Sequence, residues 1–172
     1  MPTTHVPTWE DKLSQAKGLG SSSPSVTIGS NTPTVQAIVY ALGRVIGGVQ
    51  AIPLYPVQGS LINLEHITLK FKGSIQTGKF WVALFSAPPV GTFNDNAAPA
   101  IAAADTASLI DIFEMVTPVS ALGTHTIFHL NNIRRTIQAG PATTNIYAVV
   151  VAETASIALG STSDMTLEIG TV

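Results

Sequence analysis

Apolar positions along this chain recur every second residue or run unbroken over the length of a strand, and the three-to-four spacing of a long amphipathic helix does not occur. Ser60 to Lys72, SLINLEHITLKFK, alternates throughout. Leu61, Asn63, Glu65, Ile67, Leu69 and Phe71 share one face, while Ile62, Leu64, His66, Thr68, Lys70 and Lys72 share the other. Phe80 to Phe85 is apolar on both faces, which predicts a central strand covered on both sides. Pro88 and Pro89 end it, because proline cannot donate to a sheet ladder, and a long loop of small residues follows. A loop of that length in a compact domain usually has a task. Asn145 to Glu153, NIYAVVVAE, is β-branched and apolar on both faces and predicts a second central strand.

The remaining segments complete the pattern. Val35 to Tyr55 holds one or two strands broken at Gly43 and at Gly47-Gly48, where glycine permits a bulge or sharp bend. Ile110 to Val116, Thr124 to Ile137 and Asp164 to Ile169 each read as extended. Ala104 to Ser108 predicts a single helical turn with Asp105 as its cap. About eight strands between Gly/Pro/Asn turns predict an all-β fold, a sandwich or jelly roll. Residues 1–34 differ: four prolines, Ser21-Ser22-Ser23 and isolated apolar residues predict an extended N-terminal arm ahead of a sandwich over 35–172. If the arm lies on a neighbour, its anchors are Trp9, Val26 and Ile28, with the segment around Val26 adding a strand at a sheet edge.

Composition changes what the outside must do. Of 172 residues 45% are hydrophobic and only 10% charged, against roughly 25% charged in a typical soluble domain. So few charges cannot cover the surface: either it is rich in Ser, Thr and Asn, or, the favoured reading, much of it is buried against copies of itself or a larger assembly. Eight Lys+Arg against ten Asp+Glu leave a net charge of −2, and no basic footprint for nucleic acid or an anionic membrane. Cysteine is absent, which removes disulfides, thiolate metal sites and cysteine nucleophiles. The N-terminus has neither a basic start nor an apolar core, so export by a signal peptide is not expected.

Candidate chemistry is sparse. His125 and His129 are spaced H-x-x-x-H, but in a β setting without a third ligand they read as neighbouring strand positions rather than a metal site. Asn94, Asp95 and Asn96, with Asp105 and Asp111, supply hard oxygen ligands of the kind calcium takes, yet at no EF-hand spacing; such residues more often fix turns through their own backbone. Ser14 to Lys17 spells S-x-x-K without the partner motifs of that mechanism. Glu65, Glu114, Glu153 and Glu168 lie in strands, where a carboxylate pair for sugar hydrolysis is arithmetically possible. Arg134 and Arg135 point to opposite faces of a strand, so one of them is expected in a rim salt bridge.

Several segments taken together resemble a family of small virion structural proteins of tailed bacteriophages and cyanophages, the capsid decoration or cement proteins. The similarity is carried by GRVIGG at Gly43 to Gly48, GSLINLEHITL at Gly59 to Leu69, WVALFSAPP at Trp81 to Pro89 and the loop Phe93-Asn94-Asp95-Asn96-Ala97-Ala98. NIYAVVV at Asn145 to Val151 and Asp164 to Leu167 complete it. Arg44 and Pro99-Ala100 depart from the family pattern. The resemblance implies a jelly-roll sandwich without enzymatic activity or cofactor, assembled as a small ring, a homotrimer, on the outer capsid surface of the virion. Its partners would be the major capsid protein and copies of itself. The rival expectations are a carbohydrate- or receptor-binding sandwich of a phage fibre or tail, and a hydrolase using Glu114 or Glu153.

Overall fold

The β-branched and aromatic runs pair as the alternation requires, in a computed structural model that describes residues 27–55, 57–73, 75–154 and 157–172. Twelve strands lie among these residues: β1 Thr27–Asn31, β2 Val39–Tyr40, β3 Val45–Pro53, β4 Leu61–Phe71, β5 Phe80–Phe85, β6 Leu109–Met115, β7 Pro118–Leu122, β8 His125–Leu130, β9 Arg135–Gln138, β10 Asn145–Ala152, β11 Ile157–Ala158 and β12 Met165–Thr171. The larger sheet runs β1-β12-β4-β8-β7, with β9 also pairing β4; the smaller runs β3-β10-β5-β6, and β2 pairs β11 apart from both. Every pairing is antiparallel. The fold is an all-β sandwich, and no helix among the described residues is long and apolar enough to cross a membrane.

The main core fills the space between the two sheets. Leu64, Ile67, Leu69 and Phe71 of β4 meet Phe80, Val82 and Leu84 of β5 and Ile146, Ala148 and Val150 of β10. Phe71, Phe80 and Phe128 form an aromatic triangle with ring centroids 4.8, 5.0 and 6.3 Å apart. Such contacts add about 0.5–1.5 kcal/mol per pair beyond the area they bury. Both strands expected to be central, β5 and β10, lie inside the smaller sheet.

Four expectations need correction. β4 does not keep one face throughout: Gly170 pairs His66 and Thr171 pairs Leu64, so Glu65 is extruded as a bulge. The bulge shifts the side-chain parity, which sends both Leu64 and Ile67 inward. Thr124 to Ile137 is two strands, because Asn132 and Arg134 adopt left-handed backbone with φ of 57° and 51°. The turn at 103–107 is a 3-10 helix whose N-cap is Ala102, and Asp105 caps it from its third position by accepting the Ala102 N–H rather than standing at the N-cap itself. Strand pairing also starts ahead of Val35: β1 adds to β12 of its own sheet, with Thr27 opposite Thr171 and Asn31 opposite Leu167. Gly29 lets β1 lie close over β3, since a Cβ there would sit 2.6 Å from the Pro53 carbonyl oxygen.

Candidate functional site

Outward-facing residues of β3, β10 and β5 make a second apolar cluster on the far side of the smaller sheet. Val45, Ala83, Phe85, Val149 and Val151 gather there, and Phe93 of the long loop closes over them with its ring 5.8 Å from that of Phe85. Phe93 is only 4% exposed. The double proline therefore ends a strand whose following loop folds back as a roof.

Three sets of polar contacts hold the roof. The Asp95 carboxylate accepts the Tyr40 hydroxyl at 2.8 and 2.9 Å, the Gly47 N–H at 2.6 Å and the Gln36 N–H at 3.0 Å. Gly47 and Gly48 form the bulge expected of them, opposite the step from Val149 to Val150 in β10. Their φ values of 76° and 67° fall where a side chain is strained, and a Cβ on Gly47 would sit 2.7 Å from the Pro33 ring. Next, Asn96 N–H donates to the Val45 carbonyl at 2.8 Å and Val45 N–H to the Ala97 carbonyl at 2.9 Å. Asn96 turns the chain with a φ of 59°, a conformation asparagine tolerates well. Last, Asp105 accepts the N–H groups of Val90, Gly91 and Ala102 at 2.7, 3.0 and 2.9 Å.

These environments move proton equilibria. Burial, and then the bond to Asp95, pushes the Tyr40 hydroxyl well above the ordinary tyrosine value. Burial also works against the Asp105 charge, but the N–H donors from Val90, Ala102 and Gly91 outweigh it and hold the carboxyl below its usual range.

On either side of the roofed cluster, apolar side chains of this sheet face stay exposed. Trp81 of β5, Val49 of β3 and Ile112 of β6 are 42%, 41% and 46% exposed, so the expectation that both faces of β5 are covered fails at Trp81. Beside Trp81, its cross-strand partner Glu114 is bonded by Lys79 at 2.9 Å. Lys79 first of all holds the Glu114 carboxyl below its usual range. Burial, and then the Glu114 charge, pushes Glu153 above it.

The other predicted residues separate. Asn94 is exposed, and Asp111 is ion-paired with Arg135, whose guanidinium also donates to the Ile110 carbonyl. Asn94, Asp95, Asn96, Asp105 and Asp111 therefore do not converge as a calcium site. Among the described residues no group of three or more His, Asp or Glu side chains is placed to hold a metal ion. His129 lies with His66, ring centroids 5.3 Å apart, and its Nδ1 is 2.7 Å from the Thr68 hydroxyl. Ile28 of β1 is 58% exposed opposite Gly170. Trp9 and Val26 lie outside the described residues. Tyr40, Gln36 and Gly47 are the partners that sequence reasoning missed; the glycine pair was a signal for a bulge, but nothing in it named Asp95.

No family model and no curated protein matches this chain. Its chemistry must be read from geometry. Beyond burial, the Glu114 charge helps raise the Glu153 carboxyl, and Glu153 Oε2 is buried without a hydrogen-bond partner among the described residues. What the face offers is a roofed apolar cluster flanked by exposed apolar residues.

Proposed function

We propose that this is a virion structural protein, a capsid decoration or cement protein that binds the outer surface of a phage head as a homotrimer and works by burial rather than catalysis. The observation that carries the reading is the set of exposed apolar residues that flank the roofed cluster on the smaller sheet. Val49, Trp81 and Ile112 project from three strands of one sheet in a chain whose charged fraction is 10%, and exposed apolar faces of this kind mark contacts. The jelly-roll connectivity implied by the family resemblance belongs to the same proposal, as do the partners, the major capsid protein and copies of this chain. The arm ahead of β1 would reach across a capsid neighbour with Trp9 and Val26 as anchors, while Ile28 stays on the sheet edge.

The test is cosedimentation with phage heads of the full chain and of a chain starting at Thr27. Truncating further, through 34, would remove β1 and so confound folding with binding. The reading expects the full chain to pellet with heads and the truncated chain to be washed off. Neither chain pelleting would overturn it.

A second reading has one observation in its favour: Trp81 is exposed beside Glu114 and Lys79, an aromatic platform with polar groups at its edge of the kind sugars stack on. A carbohydrate-binding module would bind glycans on an array and lose them with Trp81→Ala. A blank array at high protein concentration would remove this reading.

A further inference from the structure

At the end of the sandwich where β1 begins and β3 ends, a cleft of about 490 Å³ opens between the sheets. Thr27, Leu54, Tyr55, Leu61, Ile62 and Val172 line it. Leu61 is 66% exposed at its rim. Tyr55 is 5% exposed, and its buried hydroxyl has no hydrogen-bond partner among the described residues. A buried hydroxyl left unpaired carries its full desolvation cost, so something that bonds it and fills the apolar space would be retained. Burial also pushes this phenol up to about 12, so it stays a neutral donor and acceptor across the physiological range.

The chain itself shows what is near. Thr27 lines the cleft, and twenty-six residues precede it. That segment carries Val6, Trp9 and Leu13 among polar and small residues. A random-coil tether of some 18 residues would span about 20–25 Å on average, which would keep Trp9 at millimolar effective concentration near the cleft and favour the same chain over a second copy. Indole matches the site chemically, with an apolar body for Leu54 and Ile62 and an N–H that donates to a hydroxyl oxygen.

We propose that the cleft between β1, β3 and β4 is the seat of this chain's own N-terminal segment, with Trp9 in the apolar space and the segment bonded to the Tyr55 hydroxyl. The inference rests on the capsid reading only for its consequence. An arm seated at home cannot hold a neighbour at the same time, so capsid binding would have to draw Trp9 out of the cleft.

The experiment uses the free protein, without capsids, so its failure is distinct from failure of the capsid reading. Trp9 and Trp81 are the two tryptophans, and Trp81→Phe leaves Trp9 as the reporter. The expected result is blue-shifted emission and weak acrylamide quenching, with Leu61→Asp moving the emission to that of solvated indole and raising quenching several-fold. Solvated emission with the cleft intact, or no response to Leu61→Asp, would overturn the proposal. The chain has no cysteine, so the pair Glu10→Cys and Leu61→Cys reports the partner directly. A disulfide within one chain is expected. A disulfide joining two chains, or none, would overturn the assignment.

Discussion

The Tyr40 hydroxyl donates to the Asp95 carboxylate at 2.8 Å to one oxygen and 2.9 Å to the other, joining the short β2 strand to a loop fifty-five residues further on. Tyr40 is fully buried, and its oxygen also accepts the Gln36 N–H at 2.6 Å. A hydrogen bond to a charged group contributes about 1.5–3 kcal/mol, and a partner left behind costs its own desolvation. Asp95→Ala is therefore expected to destabilise the fold by about 2–4 kcal/mol. Tyr40→Phe should cost less, and the double variant less than the sum of the two. A double-mutant cycle by urea unfolding checks this, and strict additivity would show that the pair is uncoupled.

Removing the roof has a separate signature. Phe93→Ala is expected to cost about 3–4 kcal/mol, in the range of buried aromatic truncations. Because the main core lies on the other face of β5, the variant should stay folded while binding a hydrophobic dye at the exposed Phe85. Unchanged stability would mean that Phe93 does not close the cluster.

Asp105 sets a pH dependence with a defined sign. Its carboxyl is held below its ordinary value in the folded chain, so the stability it contributes is present above the unfolded carboxylate value and is lost as pH falls through the lower folded value. Thermal unfolding between pH 6 and 3 should show that loss. Asp105→Asn is expected to lower the melting temperature at pH 6 and to flatten the acid limb, and an unchanged limb would count against the assignment.

Gly29→Ala tests the seat of β1. With a Cβ only 2.6 Å from a backbone oxygen and 2.7 Å from Ile52, the strand has to lift from β3. The expected result is faster amide exchange over Thr27–Asn31 than in the rest of the larger sheet, together with a fall in global stability. Equal protection in both proteins would show that the close approach is not needed.

These residues also mark how far the chain could be read before its structure was known. The two-faced strands β5 and β10 were legible because apolar runs on both faces admit only a covered position, and the Gly47-Gly48 bulge because adjacent glycines favour one. The bulge at Glu65 was not legible: alternation is a local signal, and the register against Gly170 and Thr171 is set a hundred residues away. β1 was read as part of an arm because the pairing that makes Thr27–Asn31 a strand comes from the other end of the chain. In the loop, the Asx residues were correctly turn formers at Asn96, but the four contacts made by Asp95 depend on elements brought together only by folding. Trp81 misled in the opposite direction, since an aromatic in an apolar strand usually lies inside, and its exposure beside the roofed cluster is what gives the contact reading its weight.

Light scattering coupled to size exclusion measures the central claim most directly. The account predicts that the chain of 17.9 kDa elutes with three times that mass, and that Val49→Lys with Ile112→Lys returns it to a folded monomer. A wild-type monomer at every concentration tested, or a trimer indifferent to those two substitutions, would contradict it.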